Sequence, residues 1–511
     1  MSALPPETTS YWIASTPDTS FPALEGEHSV DVAVVGAGIV GITAAMRLKR
    51  ESKTVALIES KRSLHGVTGY TTAKLTAGHN VIYTHLERHF GAEGARLYAE
   101  ANQAAVEEVV RTAAELRIDA DLERTRNYVY SESAEDVDRL QQEADACRRA
   151  GLPASFTRET ELPYPVAGAV VLEEQALFHP RKYLLPLLMA VPGDGSHVFE
   201  ESRVTRVDGY GGCLVKTELG SVRARDVIVA THLPILDRGF FFAKTHPRRS
   251  YVVAAVVEAD RAPTGMYIST ESPTRSIRSG PAESGRLLLL GGEGHKTGQE
   301  PRTDESYARL ADWARERFGV ESVDYRWSTQ DNYSVDRVPY VGRIRRGSEH
   351  IYAATGFGGW GMSNGVASGL LLADLVLGRP NPWAALYDAN RLKPVAAAVE
   401  FTKENSNVAK RWLGDRASAA RRRIVSDLSP GEGRVARLNG ELVAVYRGDE
   451  GGLHAVSAVC THLACLVAWN PAERSWDCPC HGSRFAADGC VMQGPAVKDL
   501  ERRDDVISGL D

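Results

Sequence analysis

The chain has 511 residues, 43% hydrophobic and 25% charged, a globular composition with room for about three domain-sized units. Its 60 basic and 66 acidic residues leave a net charge of −6, which argues against nucleic acid as a partner, because phosphate binding needs a cationic surface. There is no run of 18 apolar residues and no basic-then-apolar leader, so neither a transmembrane helix nor a secretory signal is expected, and the expected compartment is the cytoplasm.

Residues 1–28 read as an irregular arm. Val30–Val35 is a buried strand, followed by a Gly-rich turn, a helix to about Arg50 and a second strand, Thr54 to Glu59. Helical spacing follows over 93–117 and 132–150. Strand-type runs dominate 165–300, notably Asp226 to Ala230, Tyr251 to Glu258 and Arg286 to Leu290. A helix (304–318), a strand (Val323 to Ser328), a strand (His350 to Ala354) and a helix (363–377) come next. A charged helical stretch over 395–425 ends in Arg421, Arg422 and Arg423, a run that reads as a solvated linker. The Ser429-Pro430-Gly431 turn opens a region of short strands that holds five of the seven cysteines.

The first motif is Gly36-Ala37-Gly38-Ile39-Val40-Gly41 between strand and helix, with Glu59 at the end of the next strand, 18 residues after Gly41. Gly36 permits the turn, Gly38 lets the backbone approach a pyrophosphate, and Gly41 lets the helix pack on the strands. Unpaired N–H groups at the helix N-terminus, on Ile39 and Val40, face the phosphates. Glu59 is placed for ribose hydroxyls, and an acid there favours an unphosphorylated ribose, as in FAD or NAD. Gly356-Phe357-Gly358-Gly359-Trp360-Gly361 has the same form, but no acid-ended strand follows it. It reads as a turn and helix N-terminus (Gly356, Gly358, Gly359, Gly361, Met362) facing the ring end of a flavin, whose reduced form is anionic.

This cradle, the segment Gly66–Lys74, the run Ala176–Tyr183, the stretch Val335–Gly342 and the Ala354-Thr355-Gly356 turn together resemble the D-amino-acid oxidase-like FAD oxidoreductases over about residues 30–400. The resemblance implies an α/β fold: a Rossmann-like, discontinuous FAD-binding domain (about 29–90, 165–235 and 325–390) with an inserted antiparallel-sheet substrate domain. It also implies oxidation of a C–N bond by hydride transfer to flavin, in a small amine or amino-acid substrate. Some relatives hold FAD covalently. With no Cys in 325–345, and His65 off the expected register, FAD is expected to be non-covalent. Thr71, Thr72 and Lys74 are expected to meet the cofactor. Trp360, His79 and Arg278 are candidate substrate-site residues, Arg278 as a carboxylate binder. Tyr83, Tyr251 and Asn332 are further candidates.

The second motif is Cys460-Thr461-His462, fifteen intervening residues, then Cys478-Pro479-Cys480-His481. Two Cys and two His ligate either zinc or a two-iron cluster. Each box here supplies one thiolate and one imidazole, which suits an iron pair with two thiolates on one iron and two imidazoles on the other. Residues 430–511 resemble Rieske domains. That resemblance implies an all-β C-terminal domain with a [2Fe–2S] cluster on Cys460, His462, Cys478 and His481, and a disulfide between Cys465 and Cys480. Ser483 is expected to bond near the cluster, and Cys490 to be a small buried apolar residue.

The expected organisation is an arm (1–28), the FAD oxidoreductase (29–400), a helical linker (401–428) and the Rieske domain (429–511). The expected function is substrate oxidation at FAD, with electrons relayed singly through the cluster to an unidentified acceptor protein. The alternatives are a cluster that feeds electrons into FAD, or a Rieske domain that only docks or senses.

Overall fold

The protein is described by a computed structural model over residues 4–209, 212–419, 425 and 427–507; the Arg421–Arg423 run lies outside the described residues. The fully apolar stretch Val32–Val35 belongs to the strand Gly26–Val35, the centre of a parallel sheet. The order across the main path of that sheet is Tyr340–Arg343, Ile351–Thr355, Gly220–Val229, Gly26–Val35, Val55–Ile58, His197–Phe199. Only Tyr340–Arg343 runs antiparallel on this path. Burial on both faces explains why these strands read as unbroken apolar runs. The expected Rossmann-like layer is therefore present.

Two helices, Ile39–Arg50 and Gly361–Val376, pack on this sheet side by side. Their approach is close: a Cβ at Gly365 would lie 2.7 Å from Ile39, and one at Gly369 2.7 Å from Thr43. That contact sets the two helix N-termini next to one another. The 33-residue helix Tyr83–Glu115 starts ten residues earlier than its spacing predicts, across a non-helical Gly91. The run containing His179 and Pro180 forms a further helix, Pro180–Met189, with Pro at its start, where its missing N–H costs nothing.

The second large sheet has nine strands, almost all antiparallel. Its edge pair, Thr245–Val257 and Tyr325–Ser334, is in register from Thr245 opposite Ser334 to Ala254 opposite Tyr325. The N-terminal arm is pinned rather than loose: Trp12 is buried, and its indole N–H donates to the Thr71 carbonyl.

The C-terminal region consists of a three-stranded sheet (Gly433–Leu438, Glu441–Arg447, Leu453–Ser457) and a four-stranded one (Ala468–Asn470, Ser475–Asp477, Arg484–Ala486, Val491–Gln493), all antiparallel. It docks against the second large sheet through a buried ion network. Glu473 accepts hydrogen bonds from Tyr307 and Ser328 at 2.9 Å and pairs with Arg249 at 3.1 Å and Arg484 at 3.4 Å. Arg484 also meets Asp477 at 3.0 Å. Burial pushes both carboxyls up, but the adjacent guanidiniums more than offset it, leaving Glu473 and Asp477 below the usual range. Their contribution is therefore complete above the unfolded-state pKa of about 4 and is lost as pH falls through the lower folded values.

Arg249 has two further nitrogens, Nε and Nη1, without a partner among the described residues. Glu473→Ala would leave this buried cation uncompensated, and such losses cost about 3–5 kcal/mol. The expected outcome is a lower midpoint for the first thermal transition, with Glu473→Gln intermediate; calorimetry of the purified variants checks it.

Candidate functional site

A cavity of about 1060 Å³ runs from the C-terminal ends of the parallel strands to the second sheet. Gly36, Gly38, Ile39, Val40 and Glu59 line one end. Gly36 has φ +106°, and a Cβ there would sit 2.6 Å from the Ala230 carbonyl oxygen. A Cβ on Gly41 would lie 2.0 Å from the Gly36 oxygen. Gly38 differs: within 4 Å its Cβ would meet just Thr68 Oγ1, at 3.1 Å. The fold demands glycine at 36 and 41, whereas at 38 the absent side chain leaves space open to the cavity, as a pyrophosphate requires. Glu59 Oε1 accepts from the N–H and hydroxyl of Ser60, at 2.7 and 2.9 Å, and from the Lys61 N–H at 3.2 Å, while among the described residues Oε2 accepts only the Ala37 N–H, at 2.9 Å. With about two lone pairs per carboxylate oxygen, Oε2 keeps acceptor capacity for a ribose hydroxyl. These residues fit a dinucleotide.

At the other end, Gly356, Gly358, Gly359, Gly361 and Met362 line the cavity beside Thr71 and Thr72. The helix Gly361–Val376 has no side chain bonding its N-terminal N–H groups, so its partial positive charge faces the cavity. Trp360 also lines it and stacks on His79, ring centroids 4.8 Å apart. His79 is a satisfied core residue. Its Nδ1 meets Tyr98 at 2.7 Å, and its Nε2 meets the Thr76 carbonyl at 2.7 Å and Ser363 at 2.9 Å. Burial pushes its pKa down to about 3, so it is neutral and backs Trp360.

Arg278 does not reach the cavity. Its guanidinium donates to the carbonyls of Thr72, Ala73 and Phe178 and lies over the Trp12 ring, which places it as a brace for the Thr71–Ala73 segment. The Lys74 amine is likewise occupied, by the Tyr267 carbonyl and Ser276 Oγ, and burial holds its pKa well below the usual lysine value. Tyr83 donates to the Ala77 carbonyl.

Residues that the sequence reading missed come from the edge pair of the second sheet. His246, Arg248 and Ser250 on one strand face Tyr333, Asp331 and Thr329 on the other, and all six line the cavity. His246 stacks on Tyr333, and the Arg248 guanidinium lies 5.9 Å from the same ring centre. The Gly358 N–H donates to the Asn332 carbonyl at 2.9 Å, which holds the turn against this strand. Burial, only partly offset by the nearby Gly359 backbone, pushes the Asp331 pKa up to about 6. The intervening residues bond to other elements: Arg249 to Glu473, Gln330 to the Gly482 carbonyl at 2.8 Å, and Asn332 to His232 at 3.2 Å, while Arg249 and Gln330 also reach the cavity wall. Of the two chosen from sequence, Tyr251 lines the cavity and Asn332 does not. Neutral His232 also receives Gln493 of the C-terminal region on the same Nδ1, at 3.2 Å. The signal for Asp331 and Arg248 was strand alternation, which needs the register to be usable.

In the C-terminal region, Cys460 and Cys478 are both buried, free cysteines. The neighbouring Cys478 thiol, with help from His462 and the Ser483 hydroxyl, pulls Cys460 down to about 7 against the effect of burial. The His462 and His481 rings lie 5.1 Å apart and perpendicular. His462 Nε2 is 2.9 Å from Asp237 Oδ1, while its buried Nδ1 has no partner among the described residues. Burial pushes His481 down to about 3 and so keeps it neutral, as a ligand must be. Two thiols, two imidazoles and an orphaned ring nitrogen fit a [2Fe–2S] cluster. The sulfurs of Cys465 and Cys480 are 2.13 Å apart, in the expected disulfide. Cys490 departs from expectation: it is exposed, at the end of a turn where it contacts Asp488.

The family model of FAD dependent oxidoreductases (DAO) matches residues 31–375, and that of the Rieske [2Fe-2S] domain matches 422–503. A Bacillus subtilis protein described as a putative Rieske 2Fe-2S iron-sulfur protein, YhfW, is 36% identical over 501 residues, 98% of each chain. The solved glycine oxidase from Geobacillus kaustophilus aligns with a TM-score of 0.59 at 19% identity, over 71% of this chain and 99% of its own. L-proline dehydrogenase from P. horikoshii aligns with a TM-score of 0.57 at 16% identity, over 72% and 98%. These structural likenesses concern the fold. The cofactors are FAD and a [2Fe–2S] cluster. Among the described residues no helix is long and apolar enough to cross a membrane.

Gly38→Val should give a folded protein that retains iron and sulfide but lacks FAD, since its side chain projects into the cavity and not into the fold. Flavin and iron assays on one preparation check this, and full flavin content would overturn the cradle assignment.

Proposed function

The chain belongs to the FAD dependent oxidoreductase (DAO) family and carries a Rieske [2Fe-2S] domain, and from that premise we propose that it oxidises a small amino acid and passes the electrons singly through the cluster to an outside acceptor. The cluster is held by Cys460, His462, Cys478 and His481, and FAD by the Gly36–Gly41 cradle, Glu59 and the Gly356–Met362 turn. The observation that carries the substrate reading is the cross-strand pair Arg248 and Asp331, both facing the cavity. A cation and a carboxylate in direct register match the carboxylate and ammonium of a zwitterion. Glycine oxidase and L-proline dehydrogenase, named for amino acids, share this fold.

FAD, when bound, supplies a two-electron acceptor for hydride from the carbon beside nitrogen. The chain's own residues do the rest. Arg248 orients the substrate carboxylate. Asp331 takes a proton from the ammonium, so that the nitrogen lone pair becomes free. The Gly358 N–H, bonded to the Asn332 carbonyl, holds the turn against the strand that carries Asp331, and Trp360, backed by His79, closes the wall.

Asp331 acts as a base only when ionised, and its pKa is about 6. Flavin reduction by substrate should therefore rise with pH through about 6 and level off above it. Asp331→Asn should lower the rate by about 10²-fold and remove that limb. Arg248→Met should weaken substrate binding by about 2 kcal/mol, the scale of a charged hydrogen bond. An anaerobic screen of amino acids and simple amines, watching flavin absorbance, tests the reading. Equal reduction by amines that lack a carboxylate would overturn it.

A further inference from the structure

The edge strand Tyr325–Ser334 touches both the flavin-facing turn and the cluster loop. On one side the Asn332 carbonyl accepts the Gly358 N–H of that turn at 2.9 Å, and the Tyr333 ring lies 3.4 Å from where a Cβ of Gly358 would be. On the other face the Gln330 amide donates to the Gly482 carbonyl at 2.8 Å, one residue after the cluster ligand His481. A Cβ at Gly482 would sit 2.5 Å from Gln330 Nε2 and 2.7 Å from Pro247. Cluster loop and flavin-facing turn thus press on one backbone layer from opposite sides. Consecutive residues there are about 3.3 Å apart along the strand.

We propose that this strand is the bridge by which electrons cross from flavin to cluster, with Gln330 as the positioning residue that joins it to the cluster loop. The proposal rests on the relay reading above. The path runs from the Gly358 N–H to the Asn332 carbonyl, along the Asn332–Gln330 backbone, through the Gln330 amide to the Gly482 carbonyl, and so to His481. In each crossing one electron leaves the reduced flavin and converts one ferric iron of the cluster to ferrous. The second electron crosses after a one-electron carrier has reoxidised that iron.

Two other contacts are poorer routes. Asp237 and Phe242 touch the cluster histidines, at 2.9 Å for the Asp237–His462 bond and with ring centres 5.3 Å apart for Phe242 and His481. Neither lines the cavity. Gln493 and His232 both line the cavity and meet at 3.2 Å, but Gln493 lies on the strand Val491–Gln493, which carries no cluster ligand. Gln330 has its own support: Thr297 donates to its carbonyl oxygen at 3.0 Å, which orients the amide N–H toward Gly482.

The test uses the full-length holoprotein and the enzyme's own flavin, excited by a light flash with EDTA as sacrificial donor, so that no substrate need be known. Cluster reduction is followed by its absorbance and by EPR of rapidly frozen samples. Gln330→Met should slow it roughly tenfold, with FAD, iron and sulfide contents and the cluster reduction potential at wild-type values. Gln330→Glu keeps the acceptor for Thr297 but cannot donate to Gly482, and should slow transfer similarly; it carries the test if the methionine variant loses iron. A wild-type rate in either loaded variant, or a shift in potential that accounts for the whole change, overturns the bridge. If the wild-type flavin never reduces the cluster, it is the relay itself that fails.

Discussion

Successive side chains leave a β-strand in opposite directions, and the relation between the two halves of this protein depends on that alternation in one pair of strands. Thr245–Val257 and Tyr325–Ser334 turn Arg248 and Asp331 toward the cavity and Arg249 and Gln330 toward the C-terminal region. A slip of one residue in the register would exchange the two sets. Glu473 and the Gly482 carbonyl would then lose Arg249 and Gln330 and would meet Arg248 and Asp331 instead. The parallel sheet and its two helix N-termini place the dinucleotide, but the edge pair decides what stands on either side of the flavin-facing turn.

The ion network at the docking surface is best understood as a device for fixing that register. Burying Glu473, Asp477, Arg249 and Arg484 is costly, and apolar packing of equal volume would often be as stable. What apolar packing lacks is direction. Glu473 is satisfied by four groups from four separate elements, Ser328, Tyr307, Arg249 and Arg484. A docking shifted by one residue would leave several of these groups buried and unpaired. The nearby contact of Gly482 with Gln330 tolerates even less displacement, because a bare backbone abuts the amide.

The local signals were readable and the long-range ones were not. The spacing Gly36–Gly38–Gly41 and each of the two Cys/His boxes sit inside one turn or loop, where residue order is geometry, and Glu59 follows within the same short strand–helix–strand unit. Fold class and both cofactors followed from them. The neighbours Arg248 and Asp331 are 83 positions apart and share a face through sheet register alone, which is further disturbed by a bulge at Arg249–Tyr251 against the Arg286–Lys296 strand. His79 and Arg278 were chosen for their chemistry, yet their partners, Tyr98, Ser363 and the carbonyls of Thr72 and Ala73, are supplied by the fold. Residue type says what a group can do. Only packing says whether its hydrogen-bonding positions are already taken. Cys490 shows the converse error, a small apolar residue by type that the last turn leaves in solvent.

A fixed docking changes the kinetics that a two-centre enzyme can have. Two separate proteins would have to meet twice for every substrate oxidised, because the flavin gives up two electrons and the cluster holds one. In the relay proposed above, a cluster loop seated on the edge strand would spare both crossings a diffusive encounter, and the effective concentration of cluster at the flavin would be set by structure rather than by protein level. The remaining encounter would be with the outside carrier. The second crossing would need an emptied cluster, so by this route the flavin would return to its oxidised form no faster than the carrier collects electrons. Carrier supply would then govern substrate turnover at a site that the carrier never touches.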